Sequence, residues 1–220
     1  RPAVISPNAD GVTDVAEIKY SLSRQSTITL YFADQSGGRH YFRANKRRSK
    51  GDRTAYFSGV IDGRLLPDGD YTMVLEAADE RGRKERVESP ITLIDGDKVY
   101  LAIDNLSIWP NEFTPNRDGI SDRVTIGYNL NKTASRVEVY LLDAEGNKYP
   151  VAEDKIREMG APGRHEHDYD AGIDLGATPP KDDEYTVVVE AEDAVGNKAR
   201  AEGRLTIKEG GVPRVEIVNG

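Results

Sequence analysis

Runs of six to nine residues in which apolar and polar side chains alternate recur along the whole chain: EIKYSL at 17–22, TITLYFAD at 27–34 and YTMVLEAAD at 71–79, then VTIGYNL at 124–130, RVEVYLLD at 136–143 and YTVVVEAED at 185–193. A period of two sends successive side chains to opposite faces, which is the signature of a half-buried strand. Val, Ile, Tyr and Thr dominate these runs, and Gly, Asp, Asn or Pro punctuate them. Four segments read as hairpin turns: SGGR at Ser36–Arg39, DERGRK at Asp79–Lys84, AEGNK at Ala144–Lys148 and DAVGNK at Asp193–Lys198. Only AEDKIREM, Ala152–Met159, has a pattern compatible with a helical turn or two. The pattern predicts an all-β chain of short antiparallel strands folded as sandwiches of the immunoglobulin-like or fibronectin type III-like kind.

The strands come in two matching sets. ISPNADGVTDVAEIKYSL (5–22) returns as FTPNRDGISDRVTIGYNL (113–130), with Pro7, Asn8, Asp10, Gly11 and Asp14 repeated 108 positions later as Pro115, Asn116, Asp118, Gly119 and Asp122. Tyr71, Glu76, Asp79, Gly82 and Lys84 recur 114 positions later, so the copies differ by a net six-residue insertion in their middle segments (114 − 108). A period of this length is that of a whole domain, beyond the repeat of about 50 residues at which solenoids stop. Two tandem β-sandwich domains are expected, over 1–96 and 97–209, the first of them without its opening strand, with 210–220 as the start of a further repeat or a linker. The join carries no flexible Ser/Gly/Pro linker: after Gly96, the alternating Val99, Leu101 and Ile103 read as a first strand of copy two. A restricted relative orientation is the expectation. Arg214–Val218 reads as the same strand for a third unit, so the chain reads as a fragment of a longer array, cut close to its first motif.

Composition narrows the chemistry. The 220 residues are 37% hydrophobic and 31% charged, with no cysteine, so neither disulfides nor thiolate metal sites are available. No apolar run reaches the roughly 18 residues of a membrane span, and no signal peptide is visible. The net charge of −8 is uneven: residues 1–96 carry 15 Lys+Arg against 14 Asp+Glu, the remainder 15 against 24, giving +1 and −9. An acidic chain with a nearly neutral first domain lacks the basic footprint of a nucleic-acid binder.

Several residue groups can carry chemistry. Asn8, Asp10 and Asp14, and again Asn116, Asp118 and Asp122, place side-chain oxygens around a glycine, the ligand type that Ca²⁺ prefers. No cofactor is required by this pattern, and Ca²⁺ is the candidate ion. An EF-hand is excluded, because its first ligand would fall on Ser6 and Thr114 and its twelfth on Glu17 and Thr125. The alternative is a pure Asx turn, in which these side chains hydrogen-bond their own backbone. Asp79 and Asp193 complete a calcium site only if their hairpins come close. Arg39, Arg43, Lys46, Arg47, Arg48, Lys50 and Arg53 form a basic stretch interleaved with His40, Tyr41 and Phe42. It can meet a polyanion or a neighbouring module, or it can be a solvated hairpin guarding an edge with charge. In HEHD (165–168), His165 and His167 share one strand face, a two-ligand metal pair with no third partner in sight. Trp109 is expected to pack at the domain junction; the alternative is an exposed ring for sugar stacking. No GxSxG, HExxH or phosphate loop is present.

The pieces ISPNADGVTD, FSGVIDGRLLPDGDYT and LEAADERGRK, matched by FTPNRDGISD, YDAGIDLGATPPKDDEYT and VEAEDAVGNK, resemble bacterial extracellular sandwich modules with an SPNxDGxxD opening. Similar modules are the immunoglobulin-like domain of flagellar hook-capping proteins and the fibronectin-like domains of lactocepin-type cell-envelope subtilases. The chain departs from that pattern at Phe57 and Tyr169, where the family has tryptophan, and at Lys181-Asp182-Asp183, where it has PDG. The resemblance implies a non-enzymatic spacer, stalk, fibre or adhesin scaffold outside the cell, with neighbouring modules or copies of the same protein, or envelope glycan, as partners. Accessory modules of a secreted subtilase-type protease or glycosidase, and a glycan-binding adhesin, are the alternatives.

Overall fold

In the computed structural model, residues 3–152 and 160–210 are described. Residues 153–159 of the expected helical turn, and the strand expected at Arg214–Val218, lie outside them. The chain forms two compact units, one of Arg1–Tyr100 with Ala194–Asn197 and one of Leu101–Asp193 with Lys198–Gly220. Both are all-β sandwiches, as the alternation requires.

Unit 1 contains β1 (Ala3–Ile5), β2 (Ala16–Leu22), β3 (Ser26–Ala33), β4 (Arg39–Arg48), β5 (Gly51–Phe57), the two-residue strands β6 (Val60–Ile61) and β7 (Arg64–Leu65), β8 (Gly69–Asp79) and β9 (Lys84–Leu93). One sheet has the order β1-β9-β8-β3-β4, and β2 with β5 forms the facing layer. The burial of β2 and of the first half of β3 alternates as the sequence pattern demands, while Leu30, Tyr31 and Phe32 are all buried. Their inward side chains meet in a core of Ile18, Leu30, Phe32, Phe57, Tyr71, Ile91 and Leu93. Phe32 and Phe57 stack at 3.8 Å between ring centroids, joining the two layers. Each fully buried side chain of this size contributes about 1.5–3 kcal/mol.

Unit 2 contains β10 (Ile103–Trp109), β11 (Glu112–Phe113), β12 (Val124–Leu130), β13 (Arg136–Leu142), β14 (Lys148–Pro150), β15 (Gly163–Tyr169), a 3₁₀ turn at Ile173–Leu175, β16 (Asp183–Glu192) and β17 (Lys198–Ile207). Its large sheet, β11-β17-β16-β13-β14, repeats that of unit 1, and its other sheet is β10-β12-β15. The added strand β10 packs Ile103, Leu106 and Ile108 on a core that includes Phe113, Tyr128, Leu141, Val187 and Val189.

Tyr169 and Phe57, standing at the family's tryptophan position, are both buried. The turn at Lys181 keeps its role despite the lost PDG. Tyr185 donates its hydroxyl to Lys181 O at 2.9 Å, as Tyr71 does to Pro67 O at 2.8 Å. Each is a tyrosine tied to a carbonyl four residues upstream, the corner that recurs in sandwiches of this kind.

In each unit the short strand that leads into the repeated loop pairs in parallel with the last strand. Ala3, Val4 and Ile5 lie against Ile91, Thr92 and Leu93, and Ile94 N–H donates to Ile5 O at 3.0 Å. In unit 2, Glu112 and Phe113 lie against Thr206 and Ile207, extended by Thr206 N–H to Asn111 O and Lys208 N–H to Phe113 O.

Candidate functional site

The doubled motif folds into the same loop twice. In copy two, Asp122 Oδ1 accepts the backbone N–H groups of Asn116 (3.0 Å) and Arg117 (2.7 Å), and Oδ2 accepts that of Gly119 (2.6 Å). Asn116 Oδ1 accepts from Asp118 N–H, and Asp118 Oδ1 from Ile120 N–H. Asp14, Asn8 and Asp10 make the same five bonds in copy one. The loop turns tightly enough for this because Gly11 and Gly119 sit at φ 86° and 84°. Ala9, Thr13, Arg117 and Ser121 also take left-handed conformations, which a Cβ makes costly. Their strain is offset by the N–H groups that converge on one carboxylate, the concave donor arrangement that favours negative charge.

Of the side-chain oxygens proposed as calcium ligands, only Oδ2 of Asp10 and of Asp118 stands outside this network. Asp79 is engaged in its own hairpin, accepting from Arg81 and Arg83 N–H and pairing with Arg24 and Arg83. Asp193, with its side chain buried, pairs with Lys132 at 2.9 Å. Among the described residues, no three His, Cys, Asp or Glu side chains converge as a metal set.

Ser6 and Thr114, named in the sequence only for excluding an EF-hand, close the loop through their hydroxyls. Ser6 Oγ donates to Val12 O, and Thr114 Oγ1 donates to Ile120 O. The interchange of two hydroxyl residues at one repeated position was the available signal.

The basic stretch is not one hairpin. Arg39–Arg48 is edge strand β4 of the large sheet, paired with β3, whereas Arg53 lies in β5, paired with β2 in the other layer. The chain changes sheets at Ser49–Lys50 because β5 continues the facing layer rather than folding back on β4. Charge is instead dispersed along the edge. Arg39 and Arg43 lie over the rings of Tyr31 and Phe42, Arg47 pairs with Glu80 at 2.7 Å, and Arg48 and Arg53 donate to local backbone carbonyls. Lys46 and Lys50 are exposed.

His165 and His167 share one face as expected, and that face is the core. Both rings stack on Tyr128, at 5.2 and 5.6 Å, and both histidines are buried. His165 donates from Nε2 to Ala161 O, and His167 Nδ1 lies 3.4 Å from Ala152 O. Glu166 and Asp168 point to solvent, bonded to Arg164 and Arg123.

Trp109 is 77% exposed, contrary to the expected packing. The alternation of β10 turns Ile108 onto the core and Trp109 outward. The ring borders a cleft of about 690 Å³ lined also by Pro110, Arg117, Asp122, Arg123 and Asp174.

No protein family and no curated protein matches the chain. Solved structures do. One is a tetra-tandem repeat in the extending region of a large adhesion protein, 19% identical with a TM-score of 0.29, covering 92% of this chain and 48% of that one. Another is a 1.5-MDa bacterial ice-binding adhesin, 15% identical with a TM-score of 0.30, covering 96% and 61%. A third is SGBP-B of the Bacteroides ovatus mixed-linkage glucan utilization locus, 14% identical with a TM-score of 0.25, covering 94% and 43%. The likeness is one of fold. The chain spans about half the length of these structures.

Proposed function

We propose that the chain is a non-catalytic spacer of a bacterial surface protein, part of a tandem array whose modules transmit load between their ends. The observation that supports this is a parallel strand pair in each unit, β1 with the last strand β9 in unit 1 and β11, which follows β10, with the last strand β17 in unit 2. Backbone bonds between strands run across the strand direction. Tension applied at the start of one strand and the end of its parallel partner acts along both. It must then shear the whole ladder at once rather than open it bond by bond. In each copy the self-bonded loop follows the first of these strands and fixes the entry to the next.

Stretching single molecules tests the reading. Two force peaks are expected, one per module, each followed by a large gain in length. A chain that extends without peaks is not a load-bearing spacer.

A second reading, contact with an anionic glycan, is favoured by the exposed Trp109 and by the two exposed lysines, Lys46 and Lys50. Salt-sensitive binding lost in Lys46→Ala/Lys50→Ala or in Trp109→Ala supports it, and unchanged binding in both ends it.

A further inference from the structure

One face of unit 2 gathers chemistry that its fold does not use. Trp109, the chain's one tryptophan, stands 77% exposed at the rim of a cleft of about 690 Å³, with the buried Ile173 in its wall. That volume lies within the roughly 300–1,000 Å³ of small-ligand sites. Three polar groups in the lining are committed to nothing else: the Arg117 guanidinium, the Ser121 hydroxyl and Asp174 Oδ1 make no hydrogen bond or ion pair among the described residues. Arg123 holds the other oxygen of Asp174 at 2.6 Å and Asp168 at 2.8 Å, which fixes the orientation of the Asp174 carboxylate. Unit 1 has the same loop without this chemistry. Ala9 and Val15 stand where Arg117 and Arg123 do, and both are exposed, as is Asp62, counterpart of Asp174. The five bonds of the loop form there all the same, so folding requires neither arginine.

Charge and shape select the class of ligand. The lining sets two guanidiniums, Arg117 and Arg123, against two carboxylates, Asp122 and Asp174, and so has no net charge, while residues 97–220 together carry −9. An anion meets the carboxylates and that field; a cation meets the guanidiniums. A wholly apolar ligand strips water from Arg117 without replacing its hydrogen bonds, which is costly. An uncharged pyranose avoids all three penalties. Its flat C–H face lies on the apolar face of the indole, and its hydroxyls, each donor and acceptor at once, give to Asp174 and take from Arg117. We infer that the Trp109 cleft binds an uncharged saccharide, stacked on Trp109 and hydrogen-bonded to Arg117 and Asp174. This ligand differs from the anionic glycan of the second reading: its binding owes little to net charge and does not fall with salt.

The test titrates the full chain with neutral hexasaccharides of glucose, mannose, galactose and N-acetylglucosamine, at low and at high salt. Fluorescence reports the site directly, since Trp109 is the only indole present. A saturable change with at least one of these sugars, with the same midpoint in both salts, is expected. Calorimetric titration with that sugar should then show binding roughly tenfold weaker in Trp109→Ala and several-fold weaker in Arg117→Ala and in Asp174→Asn. All three side chains are exposed, so an unchanged Tm confirms that each variant is folded. No saturable change with any of the sugars overturns the inference, as does full binding in Trp109→Ala. Binding that weakens with salt and is lost in Lys46→Ala/Lys50→Ala also overturns it, and leaves the anionic reading standing.

Discussion

Replacing Asp122 by Ala removes the one carboxylate on which the loop of copy two converges. Three N–H groups, those of Asn116, Arg117 and Gly119, lose their acceptor at 2.6–3.0 Å. Bonds to a charged acceptor are worth about 1.5–3 kcal/mol each where buried. Asp122 is half-exposed and water can replace it at each amide, so the value per bond falls to that of a helix cap, about 1 kcal/mol or less. The expected loss is about 2 kcal/mol for unit 2. A domain near 100 residues loses roughly 4–8 °C per kcal/mol, so its Tm should fall by about 8–16 °C. Asp118→Ala removes a single Asx bond, that from Ile120 N–H, and should cost about 0.5 kcal/mol. Calorimetry of both variants, with calcium and with a chelator, separates the possibilities. Equal small shifts for the two refute the convergence argument. A wild-type Tm that drops on chelation assigns the loops to calcium instead, whereas the hydrogen-bonded loop predicts the same Tm in both buffers.

Other outcomes follow from the same contacts. Lys132→Ala leaves the buried Asp193 carboxylate without its ammonium partner and should destabilise unit 2 by about 2–4 kcal/mol in urea titration, with unit 1 unaffected. Phe113→Ala, at a fully buried position, should cost about 3–5 kcal/mol and unfold unit 2 first. Hydrogen bonds from Ser36 and His40 and from Gly38 N–H hold the Asp34 carboxyl well below the usual range. Burial raises Asp170 and Glu190, but backbone N–H groups and Arg123 for the first, and Arg200 for the second, outweigh it and leave both depressed. Carboxylates of lowered folded pKa stabilise fully above their unfolded pKa, about 4, and lose that contribution as pH falls through the folded value. Tm measured from pH 7 to pH 2 should therefore hold to about pH 4 and decline below it; a Tm that rises on acidification contradicts these assignments.

The strands and the duplication were legible because period-two burial and turn residues are local. VTIGYNL buries the positions its alternation marks, and SGGR makes its hairpin. The basic stretch was misread because nothing local says that Arg48 and Gly51 belong to different sheets; that crossover is set by which layer has a free edge. HEHD gave the shared face of His165 and His167 but not its direction, since a histidine in the core and one at a metal look alike in sequence. Their neighbour Tyr128, which decides it, lies 37 residues upstream of His165 (165 − 128). Trp109 was placed at the domain junction by its apolar neighbours Ile108 and Phe113, whereas the strand phase of Ile108 turns it out. The parallel pairs were invisible for a different reason: three residues of β1 and two of β11 are too short to show a pattern.

Pulling on the wild-type chain and on Ile94→Pro in one force measurement tests the load-bearing account most directly. The substitution deletes the N–H that donates to Ile5 O at the end of the β1–β9 ladder. Ile5 and Leu93 start side by side, so opening unit 1 frees the 88 residues between them (93 − 5), about 300 Å of chain. In unit 2, opening the β11–β17 pair frees the 94 from Phe113 to Ile207 (207 − 113), about 320 Å, and the residues of β10 released with it add to that gain. The account predicts two peaks with these gains, and in Ile94→Pro a lowered force for the 300 Å event with the other unchanged. Equal forces for the unit 1 event in both proteins would contradict it.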